Sequence, residues 1–328
     1  MAMIFLVCSL LFLLPFSESV YFKIDRFNAA SIRYSEYVMP SDGSIEFNKV
    51  NYRVAQAIYY DAVPIWDHRY GKLTDFTTHF TFIKDTHGNS THGHGLTFFL
   101  APTTFQTPPN SAGGLLGLFN TTYADSPLNQ MIFIEFDSFV NPEWDPPFEH
   151  VGININSISS SNFTAWNASL HSGETTDAWV SYNATTQLLN LRWSYDARND
   201  SRGNMNTGSL SYKVEFMEVL PERVFAGFSS ATGANVERHI LQSWEFNSTL
   251  NLKEKVKDNL QEWKLAVGIT VPLGVLVLIT MATCVVFRRK QRKPEHAKKA
   301  IETVSLSLMN DELERGVLMF KLNIGVVL

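Results

Sequence analysis

The segment IEFDSFVNPEWDPPFEH, residues 134–150, holds the densest set of side chains able to do chemistry. On an extended strand Glu135, Asp137 and Phe139 share one face, because side chains alternate with a period of two. A Pro-rich loop follows, carrying Asn141 and Asp145 and ending at His150. Two carboxylates pointing the same way repel unless a cation neutralises them. Asp145, an amide, a backbone carbonyl and an imidazole complete a mixed donor set. Oxygen-only ligands suit Ca2+, and carboxylates with a His suit Mn2+ or another transition metal. An acidic edge strand facing solvent has the same spacing, and spacing alone leaves both readings open.

His87, His92 and His94, in HGNSTHGH, invite a zinc site. Their loop is Gly-rich, with no thiol and no close carboxylate beyond Asp85, which favours a polar loop in which His94 alone faces a ligand. Catalysis finds less support. Some jelly-roll glycoside hydrolases set two Glu on one strand face as nucleophile and acid/base. Here Glu135 and Asp137 are followed by Phe139 and Val140, so the second Glu is missing. There is no Gly-x-Ser-x-Gly, phosphate loop or kinase signature either, and no enzyme is expected.

The elements that must position these residues read as strands. Period-two stretches recur in DFTTHFTFI (75–83), QMIFIEF (130–136), AWVSYNATTQLLNLRWSY (178–195) and LQSWEF (241–246). In LLNLRWSY the side chains of Leu189, Leu191, Trp193 and Tyr195 share a face, whereas FTTHFTF suggests alternation with a slip at His79 and Phe80. Turn-rich pieces separate the runs: PSDGS (40–44), TPPNSAGG (107–114) and NDSRGNMNTGS (199–209). No helical pattern of useful length precedes residue 250. An all-β antiparallel sandwich or jelly roll is expected.

Composition sets the surroundings. The chain has 328 residues, 45% hydrophobic and 18% charged, enough to bury a sizeable core. Residues 20–287 carry 18 basic and 26 acidic side chains, which argues against a nucleic-acid groove. Residues 4–14 form an apolar run broken by Pro15, with Ser17 and Ser19 placed for cleavage before Val20, so 1–19 reads as a signal peptide. Residues 265–287 are free of charge and span roughly 34 Å as a helix at about 1.5 Å per residue, enough for a bilayer. Trp263 precedes this run and RRKQRK follows it, which places the N-terminal part outside and a basic tail, 288–328, in the cytoplasm. The two cysteines, Cys8 and Cys284, both lie in apolar runs, so the ectodomain must cohere without disulfides. Seven Asn-x-Ser/Thr sequons precede the span, at Asn89, Asn120, Asn162, Asn167, Asn183, Asn199 and Asn247, and glycosylation is expected.

IFIEFDSFVNPEWDPPFEHVGI resembles the metal-binding segment of the legume (L-type) lectins. HGLTFFLAP (94–102), GGLLGLFN (113–120), VFAGFSSATG (224–233) and LQSWEF (241–246) resemble the same family in the same chain order. The similarity spans residues 20–248. It implies a jelly-roll β-sandwich ectodomain; the charged residues 249–264 after it read as a stalk before the single transmembrane helix at 265–287. By this resemblance Glu135 binds a transition metal and Asp137 and Asp145 bridge two ions. Phe139 gives its backbone carbonyl to Ca2+, Asn141 its side-chain oxygen, and His150 an imidazole to Mn2+. Ser160 would hold a metal-bound water.

The resemblance also implies a sugar site. Asn141 would donate its amide to a hydroxyl, Phe139 would stack on a pyranose, Gly114 would offer a backbone N–H, and Ala234 and Asn235 would rim the pocket. His94 departs from the pattern, since sugar-binding members carry Asp there. A carboxylate accepts two hydrogen bonds, whereas a neutral imidazole offers one acceptor and one donor. Receptor-type members, whose lectin domain precedes a membrane span and a kinase, look like this at that position. NDELERGVLMFKLNIGVVL, 310–328, begins like the stretch before such a kinase and then turns apolar. The expectation is a kinase-less, receptor-like lectin at the plasma membrane that recognises glycans with Ca2+ and Mn2+. The alternative is a co-receptor or decoy, binding a non-sugar ligand or a partner ectodomain such as that of a receptor kinase.

Overall fold

The computed structural model describes residues 18–28, 30–35, 38, 40–47, 50–69, 71–195, 207–250, 279–288, 299 and 302–316. The predicted signal segment up to residue 17, Asn199, the stalk at 251–264 and residues 265–278 of the predicted span lie outside them. Met1–Lys255 and Val256–Leu328 are separate units. In the second, residues 279–288 and 302–316 are helical and exposed. Among the described residues no helix is long and apolar enough to cross a membrane.

The first unit is built from strands: β1 (Glu18–Ile24), β2 (Ile32–Tyr34), β3 (Pro40–Ser41), β4 (Ser44–Phe47), β5 (Val54–Tyr59) and β6 (Val63–Pro64). Then come β7 (Trp66–Asp67), β8 (Lys72–Leu73), β9 (Asp75–Asp85), β10 (Gly95–Pro102), β11 (Ile132–Asp137) and β12 (His150–Ile155). The last are β13 (Asn162–Ala165), β14 (Thr175–Asn183), β15 (Leu188–Tyr195), β16 (Thr207–Lys213), β17 (Arg223–Ala231) and β18 (Arg238–Leu250). One eight-stranded sheet runs β16-β15-β14-β9-β18-β4-β3, with β1 also paired to β18. The other runs β13-β12-β11-β10-β17-β5-β2, with β6 also paired to β17. β1 and β18 are antiparallel, Glu18 opposite Leu250 and Ile24 opposite Trp244.

The sandwich follows from period-two burial. In β9, Phe76, Thr78, Phe80 and Phe82 point inward and His79 outward, so the slip read from FTTHFTF does not occur. Thr78 takes an apolar phase because its hydroxyl is satisfied there: it donates to the Glu245 carbonyl at 2.8 Å and accepts from the Trp244 indole at 2.9 Å. In β18 a bulge between Leu241 and Ser243 resets the alternation, which is how Leu241 and Trp244, three residues apart, both reach the core.

Trp244 is 1% exposed and meets Phe22 and Phe228 edge-on, at ring-centroid distances of 4.7 and 4.9 Å. Trp244→Ala is therefore expected to cost about 3–5 kcal/mol, by lost transfer and an unfilled cavity. A denaturant midpoint that stays put would refute this central role.

β10 and β11 are buried on both faces, which explains their unbroken apolar runs. Ile132, Ile134 and Phe136 enter the sandwich core. Phe133 instead joins a second cluster, with Phe99, Leu115, Leu116, Leu118, Phe119, Met131 and Ile158, that lies over the other face of the sheet.

Candidate metal and glycan site

β11 is paired on both sides, by β10 and β12, so it is no solvent-facing edge. Glu135 and Asp137 follow Phe133 in phase on the loop-covered face, and both are buried. In register Glu135 faces Gly152 and Asp137 faces His150. Gly152 leaves room for the carboxylate: a Cβ there would sit 2.6 Å from Glu135 Oε1 and 2.0 Å from Ser160 Oγ. His150 Nε2 lies 3.1 Å from Glu135 Oε1, and the Ser160 hydroxyl contacts the same oxygen.

After β11 the chain turns into the Pro-rich loop, which closes on itself. The Phe139 N–H donates to Asp137 Oδ1 at 2.8 Å, the Asn141 N–H to Asp145 Oδ2 at 2.7 Å, and the Asp145 N–H to the Asn141 carbonyl at 2.9 Å. The Asn141 side chain rests on Gly114, where a Cβ would fall 2.1 Å from Asn141 Oδ1. Only glycine fits at that place. Asp137 Oδ2 and Asn141 Oδ1 are buried and have no hydrogen-bond partner.

Electrostatics point the same way. Burial, then Asp145 and Glu135, push the Asp137 carboxyl well above its ordinary range. Burial, with Glu135 adding to it against the Asn141 amide, pushes Asp145 up to about 7. Clustered carboxyls with two orphaned oxygens and an adjacent imidazole fit hard and borderline divalent cations.

His94 is 6% exposed. Its ring lies 4.3 Å from that of Phe139, and its Nε2 would be 2.5 Å from a Cβ on Gly233 and 3.5 Å from one on Gly113. Burial holds the imidazole below its usual range, against the pull of Glu237 and Asn141, so it is neutral at pH 7. Ala234 is exposed and Asn235 half-buried beside it, and the Asn51 amide donates to the Ala234 carbonyl at 2.8 Å. His94, Gly114, Phe139 and Asn141 are thus brought together, with the 233–235 turn against the His94 ring.

The histidine loop does not converge on one ion. His87 is exposed beside Asp85, His92 reaches Glu237 and Ser169, and His94 meets Phe139. Asp67, His68 and Glu222 do lie together, but Arg69 already pairs with Asp67. Their 154-residue separation left no signal in the sequence. Asn89, Asn167, Asn183 and Asn247 are exposed, while Asn120 and Asn162 are half-buried. Asn162 Nδ2 donates to the Ser211 carbonyl at 2.8 Å, bridging β13 to β16.

A group not anticipated as a set from the sequence adjoins the His94 loop through Ser138: Lys84, His92, Ser138, Glu237 and His239, all buried. Lys84 occupies an inward phase of β9 and Glu237 immediately precedes β18. A charged side chain in an inward phase was the one available signal.

Fold and site together define a jelly-roll sandwich whose loops gather around a buried carboxylate cluster at the end of β11. Comparison with known proteins is specific. Residues 19–262 match the legume lectin domain, and the chain belongs to that family. It is 41% identical over 325 residues to the L-type lectin-domain containing receptor kinase IX.1 of Arabidopsis thaliana, covering 96% of this chain and 49% of that protein. It is 39% identical to Agglutinin-2 of Cladrastis kentukea over 63% of this chain and 69% of the agglutinin. Among solved structures, peanut lectin with a 9mer peptide aligns with a TM-score of 0.65 and 30% identity, covering 72% of this chain and all of that one. The chain spans about half the length of the curated receptor kinases it matches.

Proposed function

We propose that this protein binds glycans at the His94, Gly114, Phe139, Asn141, Ala234 and Asn235 cluster, in a manner that depends on Ca2+ and Mn2+ or another transition metal. Glu135, Asp137, Asp145 and His150, the Asn141 side-chain oxygen and the Phe139 carbonyl would hold the ions. Bound there, the ions supply positive charge that neutralises the carboxylates. The observation that carries the reading is the pair of buried, unpartnered oxygens on Asp137 and Asn141. With its oxygen committed, Asn141 keeps two N–H donors for a sugar hydroxyl. Phe139 contributes a ring, and Gly114 leaves its backbone open to approach.

The surroundings follow from the sequence: residues 1–19 as a signal peptide, 265–287 as a membrane span, glycosylation at the sequons, and display of the lectin domain outside the plasma membrane. Receptor kinases like the Arabidopsis relatives are candidate partners. A glycan array probed with the full-length chain in detergent, with and without EDTA, tests the core of this reading. Binding that EDTA abolishes and Ca2+ with Mn2+ restores is expected; binding indifferent to EDTA would reject it.

A second reading is favoured by one observation, the seating of a neutral His94 ring between Gly113 and Gly233. A pocket narrowed in this way suits a non-sugar ligand or a partner ectodomain, in a co-receptor or decoy role. Loss of all glycan signal by a folded, metal-loaded protein would select it.

A further inference from the structure

Glu237 is 0% exposed, and a carboxylate is not left in such a place without partners. His92 Nδ1 lies 3.0 Å from Oε2, and Lys84 Nζ, itself 2% exposed, lies 3.6 Å from the same oxygen. Oε1 faces the Ser138 hydroxyl at 2.6 Å and His239 Nε2 at 3.1 Å. Burial pushes the carboxyl up, but His239, His92 and Lys84 outweigh it and hold Glu237 ionised.

Two arms of this network end on neighbouring carbonyls of the binding loop. Through Ser138, the first reaches His94: the Ser138 N–H donates to the His94 carbonyl at 2.9 Å, and the hydroxyl stands 2.9 Å from the same oxygen. Through His239, the second reaches Gly95: His239 Nδ1 lies 3.1 Å from Ser230 Oγ, which donates to the Gly95 carbonyl at 2.5 Å. Ser138 is also the residue between Asp137 and Phe139. One buried carboxylate therefore joins the 92–95 loop, the end of β11 and the start of β18.

We infer that Glu237 is a positioning residue of the metal and glycan site, acting through Ser138 to fix the His94 backbone and the 137–141 turn. The inference rests on the function proposed above for what the site binds, but the positioning itself is a property of the metal-free chain. Lys84 supplies counter-charge, and the His92 and Ser138 contacts help an ionised carboxylate remain there. A neutral amide at 237 would keep an acceptor for Ser138 and leave the Lys84 ammonium without its carboxylate.

Hydrogen exchange on the full-length, metal-free chain, comparing wild type with Ser138→Ala, Ser138→Thr and Glu237→Gln, tests this. In Ser138→Ala and Glu237→Gln, amides in 92–95 and 137–141 are expected to exchange about tenfold faster or more, as follows from losing a hydrogen bond to a charged group. Amides in β14 and β15 should keep wild-type rates, and Ser138→Thr, which retains the hydroxyl, should restore protection. Calorimetric titration with Ca2+ and with Mn2+ should show a parallel, roughly tenfold loss of affinity in the same two variants. Unchanged loop exchange in Ser138→Ala, equal acceleration across β14 and β15, or failure of Ser138→Thr to rescue would each overturn the inference. Should Glu237→Gln not fold, the two Ser138 variants decide alone. A wild-type chain that takes up neither ion sinks the metal reading, and the exchange comparison still decides the positioning.

Discussion

Stripping divalent cations from the protein with EDTA is expected to lower its unfolding temperature by about 10 °C, and adding Ca2+ and Mn2+ back is expected to restore it. Ions present at about a thousandfold over Kd stabilise a folded state by about 4 kcal/mol, and a domain of this size shifts by about 2–4 °C per kcal/mol. The structure gives the demand for charge a location. Asp137 and Asp145 are both held above their ordinary range, by burial first and by neighbouring carboxylates after it. An acid whose folded pKa is raised binds its proton more readily in the folded chain than in the unfolded one. Its contribution is thus lost as pH rises, here between about 4 and the value of about 7 held by Asp145. The metal-free protein should lose stability on going from pH 4 to 7 from this source. Ions displace those protons, so the loaded protein should not. Differential scanning calorimetry across that range, with and without EDTA, reads both effects. An unfolding temperature indifferent to EDTA at neutral pH would remove the metal site from the account.

His94→Asp is expected to raise affinity for simple sugars by tenfold to a hundredfold. Each hydrogen bond to a charged acceptor contributes about 1.5–3 kcal/mol, and a carboxylate offers two acceptor oxygens where the neutral imidazole offers one. Sterics act in the same direction. Removing the ring frees the space between Gly113 and Gly233 that His94 Nε2 now fills. Asn141→Ala should abolish binding in either background, because it removes both the oxygen resting on Gly114 and the amide donors. Titration calorimetry with mannose, galactose and fucose on the four proteins would show it. Gain of binding by His94→Asp from a silent parent would favour the non-sugar reading of the natural protein. Equal affinity before and after would remove His94 from the determinants of specificity.

Much of this was legible in the sequence, for a reason that can be stated. Glu135 and Asp137 belong to one short strand, and strand periodicity puts them on one face whatever lies above it. What periodicity could not give was whether that face meets water. The answer came from a second apolar cluster, around Leu116, Phe119 and Phe133, formed by loops far apart in sequence. The phase error at His79 has a similar origin. Thr78 looks polar in isolation and becomes an inward residue only because the Glu245 carbonyl and the Trp244 indole arrive to satisfy it. Glu237 stayed hidden because, His239 apart, its partners Lys84, His92 and Ser138 lie far upstream in the chain, and no local pattern marks a long-range charge pair.

The pairing of β1 with β18 has a consequence for the making of the protein. Val20 lies opposite Ser248, so an early strand of the sandwich is matched to its last one. At about 5–20 residues per second, β1 waits roughly 10–40 s for its partner to be synthesised. β18 also joins β9 and β4, so the β3-β4 pair and the β9-β14-β15-β16 ribbon become one sheet only when β18 arrives between them. Synthesis order thus leaves the sequon asparagines upstream of residue 238 accessible as unfolded chain before the sandwich closes. For Asn162, whose side chain ends up bridging two strands, that interval is when an enzyme would find it free of its Ser211 partner.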